Sequence, residues 1–243
     1  MFLVVTLLAL LGGGLFTLNL RVANNRAIAD AKLHRFESLE LIDQLRRSSD
    51  DLTRMARSFA VNGDPRFEEY FERILSIRKG EAPRPVDYDR VYWDHVVAGG
   101  SKPRADGDPV SLRSLMEEAG FTSEEFATLG KAERQSDQLA ILEQRSMNAV
   151  KGLFEDDDGE FTRRGEPDLV LARQLLHGDA YHDAKSEIMA LVDRVEEAVS
   201  KRTADEVDSL IFDGRELQVI GAVLGFSSIA VVVALLLILS LIH

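Results

Sequence analysis

Aromatic and charged side chains are concentrated between residues 84 and 94, where their types and spacing could bind a ligand. Tyr88, Tyr92 and Trp93 form the densest aromatic patch of the chain, with Arg84 before them and Asp94 directly after. An aromatic wall beside a carboxylate attracts a cationic or ring-bearing molecule, and an arginine can pair with an anionic group. The alternative is packing, because such clusters often hold a short helix against its neighbours. We take these five residues as candidate ligand-binding residues.

Two other groups resemble metal ligands in type but not in spacing. His177 and His182 are five residues apart, about 140° around a continuous helix, although a break at Gly178 could bring them together. The aspartates at 156–158 lack the alternating ligand positions that a calcium loop places before its glycine. We therefore expect no metal and no other cofactor, with His177 at a helix end, His182 on the surface and the aspartates in a solvated loop.

Catalytic motifs are missing from the sequence. The absence of cysteine excludes a disulfide framework, a thiolate metal site and a cysteine nucleophile. The sequence has no nucleophile elbow, phosphate-binding loop, dinucleotide-binding glycine pattern or zinc-protease helix. It also lacks the Glu-x-x-His pair of carboxylate-bridged metal bundles, which argues against a membrane enzyme with a helical site. We predict no catalytic residues and no enzyme activity for this chain.

The charged residues are segregated along the chain. All 29 Lys+Arg and 41 Asp+Glu lie between Arg21 and Glu216. Residues 219–242 form an uninterrupted run whose only polar side chains are three serines, and residues 2–20 are about as apolar. At roughly 1.5 Å per residue, each run covers a hydrocarbon core of about 30 Å. We predict transmembrane helices over residues 1–20 and 217–243.

A cleaved signal peptide is the alternative for the first apolar segment. Ala29, Asp30 and Ala31 offer a small-x-small cleavage site, but the segment lacks a positive start and its apolar run is long for a signal. Two spans put both termini on one side of the membrane. Only Met1 and His243 flank the spans, so the positive-inside rule does not set the orientation. We expect this chain to be cut from a longer protein at both ends.

The segment between the apolar runs, residues 21–216, is acidic and long enough for a substantial core. It carries the whole net charge of −12. That charge disfavours nucleic acid and anionic membrane surfaces as partners. We predict a solvated extracytoplasmic domain over residues 21–216.

Apolar periodicity and helix-end signals predict that this domain is all-α. The first helix continues from the first span through residues 21–62 and ends at the Asn-Gly-Asp-Pro sequence of residues 62–65. Its predicted buried face consists of Phe36, Leu39, Ile42, Leu45, Leu52, Met55 and Phe59. Further helices are predicted over residues 65–78, 88–97, 111–119, 122–152 and 168–177. Asp64 is expected to cap the second of the helices and Gly80 to end it, and Thr122 and Glu125 are expected to form a capping box. A polar loop that contains Arg163 and Arg164 is predicted over residues 155–167.

The last helix is predicted to run from about Asp179 into the second span. It carries a heptad-like seam of Ile188, Val192, Val195, Val199, Val207 and Leu210, with Thr203 in the gap. Tyr181 and Lys185, four residues apart, are expected to pack on its surface. The predicted fold is a membrane-anchored up-and-down helical bundle in which two long helices are continuous with two transmembrane helices.

Two segments of the middle domain are the basis of a family resemblance. The first is MARSFAVNGDPRFEEYF (residues 55–71), which continues through ILSIRKGEAPRP (residues 74–85) to Tyr92, Trp93 and Asp94. The second is LLHGDAYHDAK (residues 175–185). These segments are similar to the extracytoplasmic sensor regions of bacterial transmembrane receptors: chemoreceptors, hybrid histidine kinases and diguanylate cyclases. The resemblance implies a sensory role and a homodimer, and it carries over no ligand-binding residues.

These observations lead to one hypothesis and one alternative. The chain would be the sensory part of a receptor in the bacterial inner membrane, with the central domain in the periplasm or outside the cell. A small molecule or protein would displace the last helix, and the second span would carry that displacement to a kinase or cyclase output module absent from this chain. The alternative is a non-enzymatic membrane-anchored adaptor. The expected partners are the lipid bilayer, a second copy of the chain and an unknown ligand, and no nucleic acid.

Overall fold

The computed structural model describes residues 2–99 and 102–242, and most of these residues are helical. The helices are α1 (Phe2–Asn62), α2 (Pro65–Lys79), α3 (Trp93–Gly99), α4 (Leu112–Glu118), α5 (Ser123–Val150), α6 (Leu169–His177) and α7 (Asp179–Ile242). A short antiparallel ribbon pairs β1 (Leu153–Phe154) with β2 (Arg163–Arg164). The all-α class that the apolar periodicity predicts is confirmed.

Local capping signals set where the helices begin. Asp64 accepts a hydrogen bond from the backbone N of Arg66 and starts α2. Thr122 and Glu125 form the predicted capping box at the start of α5. Such side chains satisfy backbone N–H groups that no helical carbonyl reaches, which makes these bounds readable from the sequence.

The helix predicted over residues 88–97 is shorter in the structure. It begins only at Trp93, because the residues before it are tied to another segment. The backbone N of Arg84 donates to the carbonyl of Asp108, and the backbone N of Val86 donates to that of Ala105. Asp87 then adopts φ 50, which no right-handed helix allows. The predicted loop over residues 155–167 is likewise closed by the β1–β2 ribbon, whose strands are too short to show alternation.

Phe36 belongs to the predicted buried face of α1 but is 67% exposed. It precedes Ile42 by six residues, so the two side chains point about 120° apart around the helix. Each step of three residues falls about 60° short of a full helical turn. A row of apolar residues that is followed in such steps therefore winds around the helix and away from the core. The other six residues of the predicted face are buried or half-buried.

Residues 37–199 form one of two compact units. Each helical segment in this unit contributes to a single apolar core, which includes Ile42 and Met55 of α1 and Phe71 of α2. The remaining helices add Trp93, Met116, Leu129, Met147, Leu176, Ile188 and Val195.

The second compact unit is formed by the chain up to Phe36 and from Ser200 onward. Its α1 and α7 segments run antiparallel, because residues later in α1 contact residues earlier in α7. A Cβ on Gly13 would meet the Leu224 side chain, and the Asn24 side chain donates to the Leu210 carbonyl at 3.0 Å.

Both α1 and α7 are long and apolar enough to cross a membrane. Their most apolar 18-residue windows have mean hydropathy 1.6 and 2.8. Only 6% of the first window and 0% of the second are buried within the protein. Core helices of similar composition bury such segments, whereas most of the surface of these two segments is exposed within the described residues.

Gly80 ends α2, and both its backbone conformation and its close contact with Ser111 require glycine. Its φ is 77, and a Cβ there would lie 2.6 Å from the backbone N of Ser111. Gly63 also has a positive φ, of 66, but a Cβ there would meet nothing within 4 Å. We expect Gly63→Ala to lower the free energy of unfolding by about 1–2 kcal/mol and Gly80→Ala to lower it further. Thermal unfolding of the full chain, followed by circular dichroism, measures both.

Gly130 provides the matched control, since it lies inside α5 with ordinary space for a methyl group. Gly130→Ala is expected to stabilise the protein by about 0.5–1 kcal/mol. Equal losses at Gly80 and Gly63 would contradict the close approach of Gly80 to Ser111.

Candidate functional site

The aromatic residues predicted to bind a ligand are packed against one another. Tyr92 and Trp93 are each 3% exposed, and their ring centroids lie 5.2 Å apart at 82°. Tyr88 meets Tyr92 edge-on at 5.3 Å, and the Trp93 indole N–H donates to the Tyr88 hydroxyl at 2.7 Å. Burial raises the pKa of Tyr88 to about 12. The structure thus brings these three residues together, packs their rings against one another and joins the polar tips of Tyr88 and Trp93.

The two charged residues of the predicted site lie on either side of this cluster. The Arg84 guanidinium lies 5.2 Å from the Tyr88 ring centroid and donates to the side-chain oxygen of Gln44. The Asp94 side chain is 67% exposed and pairs with Arg54. A cavity of about 260 Å³ adjoins Tyr88, Tyr92, Trp93 and Asp94. A ligand role for the five residues stays a prediction.

The residues that resemble metal ligands in type lie at the surface. His177 and His182 are exposed, and no group of three metal-binding side chains occurs among residues 2–99 and 102–242. Asp156 accepts hydrogen bonds from the backbone N of Asp158 and of Glu160 at 3.0 Å each. The acidic run therefore organises its own turn.

A second cavity of about 260 Å³, which we call the Arg78 cavity, lies where five helices of the larger compact unit meet. Its lining comes from α1, α2, α4 with its capping residue, α5 and α7. The residues are Leu45, Ser49, Arg78, Lys79, Ser111, Leu112, Arg113, Met116, Leu129, Ala132, Glu133, Ser136, Asp137, Ile188, Met189 and Val192. An apolar cavity with a few polar groups is the usual form of a small-molecule site.

The end of α2 places Arg78 in this cavity. Gly80 stops the helix two residues later and packs directly on Ser111, the N-cap of α4. Arg78 is thereby held between α4 and α5.

Arg78 is a nearly buried cation with few partners. Its side chain is 12% exposed. Among the described residues, it donates one hydrogen bond, to the Ser136 hydroxyl at 3.1 Å. Its nearest carboxylate, that of Asp137, is 3.8 Å away and 61% exposed. Burial lowers the pKa of Arg78, and the negative charges of Asp137, Glu133 and Glu143 only oppose that effect. The guanidinium keeps unused donors that face a cavity.

A buried polar network lies beside the cavity and joins α1, α5 and α7. The Tyr181 hydroxyl lies 2.6 Å from the Glu143 carboxylate and 2.8 Å from the Thr53 hydroxyl. The Lys185 ammonium donates to the hydroxyl of Ser49 at 2.7 Å and to that of Thr53 at 3.3 Å. We call these five residues the Glu143 network. Ser49 also lines the Arg78 cavity, so the two features share a residue.

Burial sets the protonation chemistry of the network. Glu143 is 2% exposed, and burial raises its pKa, while the Tyr181 hydrogen bond and the Lys185 charge oppose the rise. The pKa of Tyr181 is also raised, first by burial and then by the neighbouring carboxylate. The spacing of Tyr181 and Lys185 predicts packing on the surface of α7. Tyr181 is instead 1% exposed, because α1 and α5 cover it.

Sequence reasoning misses both the Arg78 cavity and the Glu143 network. Arg78 and Ser136 are 58 residues apart, and Tyr181 and Thr53 are 128 apart, so no local spacing reports these contacts. The one available signal is a glutamate on the apolar face of α5: Glu143 lies four residues after Leu139 and four before Met147.

Comparisons with known proteins identify no relative of this chain. No family model matches this chain, and searches of curated proteins and of solved structures find no match.

The raised pKa of Glu143 makes the stability of the protein depend on pH. A carboxyl group whose folded-state pKa exceeds its unfolded value stabilises the fold below the unfolded pKa, and this contribution is lost as pH rises through the folded pKa. Glutamine keeps the shape and does not ionise. We therefore expect the melting temperature of Glu143→Gln to fall less than that of the unaltered chain when pH is raised from about 4 to about 8.

The control for this comparison is Glu187→Gln, which changes an exposed glutamate of α7. Its melting temperature should follow that of the unaltered chain across the same pH range. Parallel curves for Glu143→Gln and the unaltered chain would show that Glu143 is not the source of the pH dependence.

Proposed function

We propose that this chain is the sensory part of a bacterial transmembrane signal-transduction receptor. Its helices would form a membrane-anchored up-and-down bundle in the inner membrane, with the central domain in the periplasm or outside the cell. A ligand or partner protein would bind this domain and displace α7, and the second span would pass the displacement to a cytoplasmic output module. The receptor would act as a homodimer.

The observation that carries this proposal is the continuity of α7. The helix is 64 residues long and begins with Tyr181 and Lys185 of the Glu143 network. Ile188, Met189 and Val192 of the same helix line the Arg78 cavity. It ends in the exposed apolar segment with a mean hydropathy of 2.8. One continuous helix therefore contributes both to a ligand-sized cavity and to a candidate membrane span, as a sensor that signals by helix displacement requires.

The alternative is an adaptor in which the helical domain only holds a partner protein. The burial of the α7 seam bears on this choice. Ile188, Val192, Val195, Val199 and Val207 are buried within a single chain. The seam is thus buried without a second copy of the chain, so a dimer would have to form through a different surface. The adaptor requires no small-molecule site, so ligand binding is the property that separates the two functions.

The membrane topology can be tested with introduced cysteines, since the chain has none of its own. Ser123→Cys places a thiol at the exposed start of α5. In intact bacterial cells we expect a membrane-impermeant maleimide to label it. A cysteine-containing tag fused after His243 should react only once the cells are opened. Protection of the Ser123→Cys thiol in intact cells would contradict a periplasmic or extracellular domain.

Direct sensing can be tested by a thermal-shift screen of the full chain in detergent micelles. The panel comprises amino acids, organic acids, amines and divalent cations. A ligand at about a hundred times its dissociation constant stabilises the folded state by about 2.7 kcal/mol, which raises the melting temperature measurably. We expect one class to do so. A folded protein that responds to no class would favour the adaptor.

A further inference from the structure

The geometry points to the Arg78 cavity as a binding site for a small organic monoanion, a carboxylate carried on an apolar body. This inference rests on the proposed sensor function, because it names the ligand class that the sensor would detect.

The charges around the cavity favour a single negative charge. Three cations line it, Arg78, Lys79 and Arg113, against two carboxylates, Glu133 and Asp137. The lining therefore has one excess positive charge in a chain whose net charge is −12. A dianion such as phosphate would bring a second negative charge close to these carboxylates, which is unfavourable.

Arg78 is the cation with capacity for a ligand. Arg113 is engaged, since it pairs with Glu117 at 3.4 Å and Glu133 at 3.2 Å, and its guanidinium lies 4.8 Å from the Phe126 ring centroid. Lys79 is exposed and therefore solvated. Arg78 has its one hydrogen bond to Ser136, and a carboxylate can accept two parallel N–H bonds from a guanidinium.

The rest of the cavity surface fits an apolar body. It is lined by the aliphatic side chains of Leu45, Leu112, Leu129, Ile188 and Val192 and by two methionines. The volume of about 260 Å³ is slightly below the usual range of ligand pockets, which begins near 300 Å³, so the ligand must be small. Hexanoate and benzoate are the probes of suitable size and chemistry. Either would contact α7 through Ile188 and Val192.

The test measures binding of hexanoate and benzoate to the full chain in detergent micelles by isothermal titration calorimetry. Hexanamide and benzamide serve as uncharged probes of the same shape. A charge-assisted pair contributes about 1.4 kcal/mol or more, so each acid should bind at least about tenfold more tightly than its amide. Arg78→Met, which keeps the apolar stem of the side chain, should abolish this preference.

Two further variants make the result specific. Arg145→Met removes an exposed arginine of α5 that pairs with Glu155, and it should bind as the unaltered chain does. Ala132→Leu fills part of the cavity and keeps Arg78, so it should weaken acid and amide alike. Ala132→Leu also serves if Arg78→Met fails to fold.

If the acids bind, three outcomes would still overturn the inference. They are equal affinity for acid and amide, an acid preference that survives in Arg78→Met, and an affinity for the acids that Ala132→Leu leaves unchanged. If the acids do not bind but amines or divalent cations do, the inference fails and the sensor function stands. If no class binds to the folded protein, both fail and the adaptor is favoured.

Discussion

The hydrogen bond between the Tyr181 hydroxyl and the Glu143 carboxylate is the contact that fixes the helices of the larger compact unit. A carboxylate buried without a partner costs several kcal/mol, and Tyr181 is the closest partner that offsets this cost for Glu143, at 2.6 Å. A one-residue shift of α5 or α7 would rotate either group by about 100° and break the pair. Apolar packing alone allows such sliding at lower cost, because one aliphatic side chain can replace another. The network therefore selects one register of α5 and α7 against α1. Ser49 belongs both to the network and to the lining of the Arg78 cavity, so this register also affects the shape of the cavity.

The contrast between the two ligand-site candidates follows from side-chain size. Tyr88, Tyr92 and Trp93 are large and planar, so their rings fill the space around one another, and the Trp93 indole N–H bonds to the Tyr88 hydroxyl. Ala132 and Ser136 are small and lie one turn apart on α5, so they leave room between α2 and α7. Methionines at the cavity wall can adjust to an occupant.

The features that the sequence predicts well are those that depend on neighbouring residues. The start of α2 at Asp64, the capping box of Thr122 and Glu125 and the stop at Gly80 each depend on contacts within four residues. The segregation of charge along the chain likewise locates the two apolar segments without any knowledge of tertiary contacts. The errors arise where distant segments compete with local preference. The pairing of residues 84–86 with residues 105–108 overrides helical periodicity ahead of Trp93.

The Arg78 cavity escapes sequence-based prediction for the same physical reason. A partly buried arginine is informative only when its lack of a close carboxylate is known, and that depends on how α2, α4 and α5 meet. In sequence, Arg78 is one of several basic residues near a helix end, where such residues are common. Only the tertiary structure shows that the Arg78 side chain is 12% exposed and lines a cavity.

In the proposed sensor, the cavity and the network would be coupled through Ser49, which belongs to both, and through the charge of Arg78. The Arg78 charge is one of the influences that hold down the pKa of Glu143. A carboxylate ligand that pairs with Arg78 would offset this positive charge and make the ionised form of Glu143 less favourable. The contact between Glu143 and Tyr181 would then respond to the ligand, although no atom of the ligand touches either residue. Because such coupling is reciprocal, the state of the α5–α7 contact would in turn set the affinity of the cavity. Tyr181 belongs to the same helix as the second candidate span, so a local change in charge would act on the element that the proposal assigns to signalling.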